Sequence, residues 1–376
     1  MQTSTHLVRN RRLVLLGMGA SALAGPAFAQ AGAEMRLTAI GQSLIRYDLR
    51  RHPWPGIAPI TVRLRNAHAV FSNLEVAIRG PNEGAPTRAL DTLHVADPAV
   101  IDCLRDFGIS ALSTSNNHAF DIGTGGIIDA IAALEARAMP FAGTGLDLAR
   151  AAAPGVLDTP AGRFAFVAFA SGFVRDGGMA TPERAGVNEV RRDASEALLE
   201  EDVERVLNAI RQARGAGATV LAYQHNHYWE RPNIEQTPDW QRALARRCID
   251  AGASIFVGHG PPLLHGVELY NGAPIFYCLG SFIFQTKKEE DAYGAPNWES
   301  LIVEARFRDG RFLGAEIRPV VLNHIGVGGA DDLETRGRPA FSRGARARAT
   351  LERVAALSAR FGYTLDHNGR RARIRV

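Results

Sequence analysis

Short apolar runs alternate along this chain with segments in which apolar residues recur at helical spacing. Runs of this kind, bounded by turn-forming residues, predict β-strands. We place strands over residues 36–40, 69–71, 111–114, 164–170, 220–223, 254–257, 275–279 and 301–307. The regular exchange of strand and helix patterns is typical of an α/β protein.

The helical segments lie between these strands. Pro98 predicts the start of one helix, because proline is favoured in the first turn, and Gly108 predicts its end. Further helices are expected over residues 126–138, 194–215 and 238–251. The last two end at glycine or close to it, as helices often do.

The C-terminal part of the chain has a different pattern. Residues 326–344 are polar and rich in glycine and predict a loop. A helix over 345–361 and a strand over 372–376 follow. We expect one main domain over 34–325, with the loop, helix and strand of 326–376 packed on it.

The first 29 residues have the pattern of an export signal. Arg11 and Arg12 precede an apolar stretch over 13–24, and Ala27-Phe28-Ala29 is a small-x-small cleavage site. The arginine pair resembles a twin-arginine signal, and general secretion is the alternative route. No later run approaches the roughly 20 apolar residues of a membrane span. The mature protein is therefore expected to be periplasmic or secreted, without a transmembrane span.

Composition narrows the function classes. The chain has 43 basic and 39 acidic residues, and removing the three arginines of the signal leaves a net charge of about +1. No basic stripe with interleaved aromatic residues remains, so nucleic acid is not an expected partner. Cys103, Cys248 and Cys278 are odd in number, lie in apolar contexts and match no zinc motif, which predicts buried free thiols.

Four polar clusters stand where apolar runs end. They occupy residues 71–75, 115–121, 224–230 and 258–261. Ligand sites of open α/β sheets lie beyond the carboxyl ends of the strands, so groups from separate strands can converge there. The sequence therefore predicts one metal-binding site assembled from four loops.

Histidines dominate two of these clusters. If the strand over 220–223 continues briefly, His225 and His227 point to the same face, because side chains alternate along a strand. Such a pair can chelate a metal, and the alternative is an exposed polar strand end. His259, at the end of another strand, adds a third imidazole.

The first two clusters offer oxygen ligands and an acid–base candidate. Glu75 supplies a carboxylate and Asn117 an amide oxygen, although a solvated loop residue and a helix cap are their alternatives. His118 is a candidate general acid, and Asp121 three residues on could orient it. Hydrogen bonding at the start of the next helix is the alternative role for His118.

Five motifs in this order resemble one bacterial family. They are Asn-Leu-Glu at 73–75, Asn-Asn-His-Ala-Phe-Asp-Ile-Gly at 116–123, Gly-Thr-Gly at 143–145, Gly-His at 258–259 and Ile-Phe-Tyr-Cys-Leu-Gly-Ser-Phe-Ile-Phe at 275–284. The set is similar to the CapA capsule-synthesis family, which is associated with poly-γ-glutamate biosynthesis. Its domain resembles a calcineurin-type metallophosphoesterase. The resemblance implies an α/β fold, specifically a four-layer αββα sandwich with metal-site loops at one edge.

The departures from that pattern concern the metals. Gln42 stands where the family has an aspartate, and Pro261 stands where metallophosphoesterases have a second histidine. The resemblance leaves one metal with Glu75, Asn117, His225 and His259 as ligands, and with His227 and Gln42 as further candidates. We therefore expect one divalent transition metal, Zn²⁺, Mn²⁺ or Fe²⁺, in place of two.

Two functions of different class follow. One is an exported metal-dependent hydrolase with a single-metal site, acting on a phosphoester or on an acidic envelope polymer. The alternative is a non-catalytic factor that binds or assembles such a polymer. A polyanion would call for arginines near the cleft, for which the candidates are Arg46, Arg50, Arg51, Arg79, Arg175 and Arg231. Ordinary surface arginine is the alternative for each of them.

Overall fold

The computed structural model describes residues 32–230, 232–286 and 294–376. The predicted export signal and Arg231 lie outside the described residues. Within these ranges no helix combines the length and hydropathy needed to cross a bilayer. The protein is a mixed α/β protein with several sheets.

Strands and helices alternate in chain order, with most strands short. The strands are β1 (Met35–Ile40), β2 (Gln42–Leu44), β3 (Ala69–Asn73), β4 (Ala77–Ile78), β5 (Val95–Ala96), β6 (Ala111–Ser113), β7 (Phe141–Ala142), β8 (Thr144–Gly145), β9 (Gly155–Thr159), β10 (Gly162–Ser171), β11 (Gly186–Val187), β12 (Thr219–Asn226), β13 (Ile255–His259), β14 (Val267–Tyr270), β15 (Ala273–Phe276), β16 (Ser281–Phe284), β17 (Glu299–Arg308), β18 (Arg311–Leu322), β19 (Pro339–Phe341), β20 (Asp366–His367) and β21 (Ala372–Ile374). The α-helices are α1 (Ile57–Leu64), α2 (Ala99–Asp106), α3 (Gly123–Glu135), α4 (Leu148–Ala152), α5 (Glu200–Gly215), α6 (Asp239–Asp250) and α7 (Gly344–Ala359).

Two large sheets organise the described residues. The first has the order β20-β21-β18-β17-β1-β3-β6-β7, with β19 also paired to β18, and β1, β3, β6 and β7 run parallel. The second has the order β14-β15-β13-β12-β10-β9, with β10, β12, β13 and β15 parallel. The parallel strands of each sheet therefore end at one common edge.

The two sheets share one apolar core. Phe71 of β3 lies against Phe166 of β10 and Tyr223 of β12, with ring centroids 5.5 and 5.2 Å apart. Leu37 of β1 and Val257 of β13 belong to the same core. Burying side chains of this size contributes roughly 1.5–3 kcal/mol each, so this contact is a main source of stability.

The opposite face of each sheet packs against helices. In β12, Leu221 and Tyr223 face the shared core, whereas Val220 and Ala222 pack with α5 and α6. The same alternation in the first sheet places Val70 against α1 and α2. The period-two pattern of the strands thus separates the shared core from two outer cores.

Each predicted strand overlaps an observed one, and two predicted elements need correction. Helix α5 begins at Glu200 and not at residue 194, because Asp193 accepts hydrogen bonds from the backbone of Ser195 and Ala197 in a turn. Glu196 in that turn has a φ of 63°, which a helix does not permit. The predicted loop over 326–344 also contains β19.

The C-terminal segment joins the shared core. Leu351 and Val354 of α7 and Ile374 of β21 pack there with residues of both sheets. The three cysteines are buried and free, as the sequence predicts.

Candidate metal centre

Strand pairing brings the four polar clusters to one edge. His225 in β12 is paired in register with His259 in β13, and Asn73 in β3 is paired with Ser113 in β6. Asn73 Nδ2 lies 3.4 Å from His225 Nδ1 and so links the two sheets. The carboxyl ends of parallel strands from both sheets therefore meet at the site, as the strand-end rule predicts.

Strand β12 continues three residues further at its C-terminal end than the sequence predicts. It pairs with β10 over residues 219–226 and with β13 over 221–225, so its extended conformation continues through His225. His227 follows on the same face, between the rings of Phe173 and Trp229, at centroid distances of 5.6 and 4.6 Å. His225 is therefore buried and His227 is half-buried, so the pair is not an exposed strand end.

Glu75, His225 and His227 form a group that could hold a metal ion. One ligand atom from each lies within 4.8 Å of the others. His225 Nε2 is 3.6 Å from Glu75 Oε1 and 3.0 Å from His227 Nε2. His259 is not part of this group among the described residues.

Asn117 faces the same histidine nitrogen. Its Oδ1 lies 2.9 Å from His225 Nε2. An N–H at His225 Nε2 could donate to only one of Asn117, His227 and Glu75, whereas a cation could be bound by all four residues. The neighbouring Asn116 has the capping role that was the alternative for Asn117, because its Oδ1 accepts from the backbone N–H of His118 at 3.0 Å.

Unpartnered polar atoms fit a cation at this place. Within the described part of the chain, Glu75 Oε2, His259 Nε2 and Gln42 Oε1 are buried without a hydrogen-bond partner. Each is an acceptor, or can be one, and buried acceptors without partners are costly. His259 Nδ1 is 3.1 Å from the Tyr223 hydroxyl, which fixes the ring. The residues present therefore fit a divalent metal, with His259 and Gln42 beside the group.

Burial sets the protonation of the candidate ligands. It lowers the pKa of His225 and His227 well below the usual value for imidazole, so both rings are neutral near pH 7. Neutral imidazole is the form that binds metals. Burial also raises the pKa of Glu75 well above its usual range, and the charge of Arg88 opposes that rise. Glu75 is 3% exposed, so a bound cation would compensate its charge in place of water.

His118 and Asp121 form a hydrogen-bonded pair beside the group. His118 Nδ1 is 2.9 Å from Asp121 Oδ2, which also accepts from the backbone N–H of His94 at 2.8 Å. Burial, followed by the charges of Arg88 and Arg175, lowers the pKa of His118 well below its usual value. A neutral ring that donates from Nδ1 to Asp121 has its lone pair on Nε2, which can accept a proton. Asp121 is therefore in direct contact with the ring that the sequence predicts it to orient.

Sequence reasoning missed three residues of this region. Arg88 lies 2.5 Å through Nε from Asp121 Oδ1, and its Nη2 donates to the carbonyl of Asn117. The His94 ring is 4.2 Å from that of His118, and the Tyr223 hydroxyl contacts His259. Arg88 and His94 follow no apolar run long enough to place them, so nothing in their local pattern indicated the site.

A family model decides the relationship to known proteins. The model of the bacterial capsule synthesis protein PGA_cap matches residues 28–286. The chain belongs to this family. The PGA_cap match includes all four polar clusters and every candidate metal ligand named above.

Similar proteins include two that are named for capsule or PGA biosynthesis and one that is uncharacterized. An uncharacterized protein, y4sH, of Sinorhizobium fredii is 26% identical, over 90% of this chain and 93% of its own. The capsule biosynthesis protein CapA of Bacillus anthracis is 28% identical, over 59% of this chain and 51% of its own. The PGA biosynthesis protein CapA of Bacillus subtilis is 30% identical, over 49% of this chain and 45% of its own.

Proposed function

We propose that this protein is an exported metal-dependent hydrolase of the metallophosphoesterase type that acts on a capsule, poly-γ-glutamate or another envelope polymer. The observation that carries the proposal is the convergence of Glu75, His225 and His227 beside the His118–Asp121 pair. Membership of the capsule-synthesis family supports the substrate class. The export signal predicted over residues 1–29 supports a site of action outside the cytoplasm.

The fold assignment belongs to the same proposal. We assign the four-layer αββα sandwich of metallophosphoesterases to this chain. The shared core between the two sheets and the two outer cores against helices support it. Residues 34–325 would form this domain, with 326–376 packed on it.

The site is proposed to hold a single divalent transition metal. Glu75, His225, His227 and Asn117 would bind it, with His259 and Gln42 adjacent. Such an ion would polarise a phosphoryl or carbonyl oxygen of the substrate and lower the pKa of water. The neutral amide of Gln42 and the absence of an imidazole at Pro261 argue against a second ion, which would need an anionic anchor.

The protein's own side chains would handle the proton. Asp121 holds the His118 ring through Nδ1 and leaves Nε2 to exchange a proton with water or with the leaving group. The site loops lie at the junction of the two sheets. The core that the sheets share therefore helps to hold these loops in position.

A second function, polymer binding or assembly without catalysis, has one observation in its favour. Gln42 gives the site no second carboxylate beside Glu75, and a single ion cannot clamp both the attacking and the leaving oxygen of a phosphoryl displacement. A protein of this kind would bind the polymer and turn nothing over.

Turnover separates the two functions. The purified mature protein, loaded in turn with Zn²⁺, Mn²⁺ and Fe²⁺, is assayed on phosphomonoesters, phosphodiesters and γ-glutamyl amides. We expect hydrolysis of one class, and we expect His118→Gln to lower kcat by about 100-fold or more with the metal content unchanged. His52→Gln, at an exposed histidine, is the matched control and should behave as wild type.

Absence of turnover with every metal and every substrate class would contradict the hydrolase and leave the binding function. A His118→Gln variant with wild-type kcat would contradict the role assigned to His118, whatever the metal.

A further inference from the structure

Three arginines near His118 and His94 have buried guanidinium nitrogens that donate no hydrogen bond. Within the described residues these are Nε and Nη1 of Arg46, Nε of Arg88 and Nε of Arg175. Leaving a buried donor of a charged group unpaired is costly, so native proteins normally satisfy such donors with protein groups, water or a bound ligand. Their common location therefore calls for an explanation.

The side chain of Arg88 is almost fully enclosed. Its side chain is 6% exposed and lies between Asn117 on the metal side and Asp121 on the His118 side. Its Nε makes an ion pair with Asp121 Oδ1 at 2.5 Å, so this carboxylate balances the charge of Arg88. Burial lowers the pKa of Arg88, Asp121 opposes this, and the positive charge of Arg175 lowers it further. Two guanidinium charges in one neighbourhood repel each other, and an anion bound beside them would relieve that repulsion.

Arg175 lies on the segment that covers Phe120. Its carbonyl accepts from the N–H of Gly178 at 2.7 Å, and a Cβ at Gly178 would lie 3.0 Å from the Phe120 ring. Burial raises the pKa of Asp121 to about 6, and the charges of Arg88 and, to a lesser extent, Arg175 oppose this rise. Arg175 is therefore close enough to the turn after Phe120 for its charge to act on Asp121.

Arg46 and His94 complete the group. The backbone N–H of Arg46 donates to Gln285 Oε1 at 2.7 Å, which fixes the residue just beyond β2. Burial lowers the pKa of His94 well below its usual value, and the neighbouring His118 and the charge of Arg46 add to this effect. His94 is 7% exposed, lies against His118 with the two rings tilted by 49°, and has no hydrogen-bond partner at Nδ1 within the described chain.

Surface arginines in the same part of the chain are paired. Arg50 makes ion pairs with Asp48 and Asp106, each at 2.6 Å, and Arg79 lies 3.6 Å from Glu83. These contacts are the ordinary surface role.

Arg192 and Arg338, elsewhere in the described chain, also have an unpartnered Nε, but their guanidinium groups have other polar contacts. Arg192 lies 3.8 Å from Glu196 and over the Trp240 ring, and Arg338 donates through Nη1 to the carbonyl of His52. Arg46 lies 5.7 Å from the Tyr47 ring, and neither Arg46 nor Arg175 makes an ion pair with a carboxylate in the described part of the chain. Their positive charges are therefore left for a ligand to balance.

We propose that Arg46, Arg88, Arg175 and His94 form a pocket that binds an anionic oxygen group of the substrate, a phosphoryl or a carboxylate, next to His118. The guanidinium fork matches either group. This pocket rests on the proposed function and deepens it, because it names the substrate group that the enzyme would hold. The group could come from a phosphoester or from the side-chain carboxylates of an acidic polymer.

Calorimetric titration tests the pocket without relying on turnover. Inorganic phosphate and a γ-linked glutamate oligomer are each titrated into chelator-treated and metal-loaded protein. We expect at least one of them to bind the chelator-treated protein, and Arg46→Gln and Arg175→Gln each to weaken that binding about 10-fold or more. Arg79→Gln is the matched control and should bind as wild type. Binding of phosphate points to a phosphoester, and binding of the oligomer points to a polymer carboxylate.

Metal content and thermal unfolding are measured on every variant, and Arg175→Lys serves where Arg175→Gln fails to fold. Absence of binding by both anions, or variants that bind as tightly as wild type, would overturn the pocket even in an active metalloenzyme. Anion binding that depends on the arginines, in a protein that takes up no metal, would keep the pocket and reject the proposed hydrolase.

Discussion

Several histidines of the described chain are held neutral by burial. Burial lowers the pKa of His94, His118, His225, His227, His259 and His265. At the candidate metal centre this leaves lone pairs for an ion. Away from the metal centre, burial of histidines makes the free energy of unfolding fall in acid, because the unfolded chain binds protons that the folded chain does not bind.

His265 allows this to be measured apart from the metal. It is 3% exposed, donates from Nε2 to the carbonyl of Ile234 at 2.9 Å, and has a pKa lowered to about 4 by burial. Because the folded pKa is below the unfolded one, about 6.5, its contribution is full above pH 6.5 and is lost as pH falls toward 4. The loss amounts to roughly 3 kcal/mol.

We therefore expect His265→Gln to flatten the fall in the free energy of unfolding between pH 7 and pH 4.5, as measured by urea denaturation. His52→Gln, at an exposed histidine, should keep the wild-type slope. An unchanged slope in His265→Gln would show that this histidine is not held neutral by the fold.

At the scale of secondary-structure elements, strand β12 and the turn after β13 determine the positions of His225, His227 and His259. The chain at Gly260 passes so close to β12 that a Cβ would lie 1.8 Å from the carbonyl oxygen of Asn226, and its φ is 142°. Gly272, in another turn, has a φ of 76°, and a Cβ there would meet no atom within 4 Å. A side chain at Gly260 would therefore meet both a backbone clash and an unfavourable φ, whereas one at Gly272 would meet only an unfavourable φ.

We expect Gly260→Ala to lower the free energy of unfolding by more than about 2 kcal/mol, because strain and a backbone clash add. Gly272→Ala should cost only about 1 kcal/mol. Equal small losses in urea denaturation would mean that β12 and the turn at Gly260 are not in contact.

The strand-end pattern found Glu75, Asn117, His118, Asp121, His225 and His259 from the sequence, because each closely follows an apolar run. It could not decide whether His227 or His259 groups with Glu75. That depends on how far β12 extends past Tyr223, which its two neighbouring strands determine. Arg88 and His94 reach the site through a segment with no periodic pattern, so only tertiary structure places them. Local turn chemistry at Asp193 likewise shortened α5.

At the scale of the whole molecule, the site depends on both sheets. Glu75 and Asn117 follow strands of the first sheet, whereas His225 and His227 belong to the end of a strand of the second. The shared core around Phe71 and Tyr223 holds the two halves together. A metal at this place would therefore stabilise the docking of the sheets as well as serve chemistry, since a ligand that binds only the folded state adds to its stability.

The most direct test of this account is the metal content of the mature protein, purified without chelator and measured by elemental analysis beside Glu75→Gln, His225→Ala and the control His52→Ala. The account predicts about one equivalent of a divalent transition metal in the wild type and the control, and its loss from both Glu75→Gln and His225→Ala. Two equivalents in the wild type, no metal at all, or a full equivalent retained by His225→Ala would contradict it.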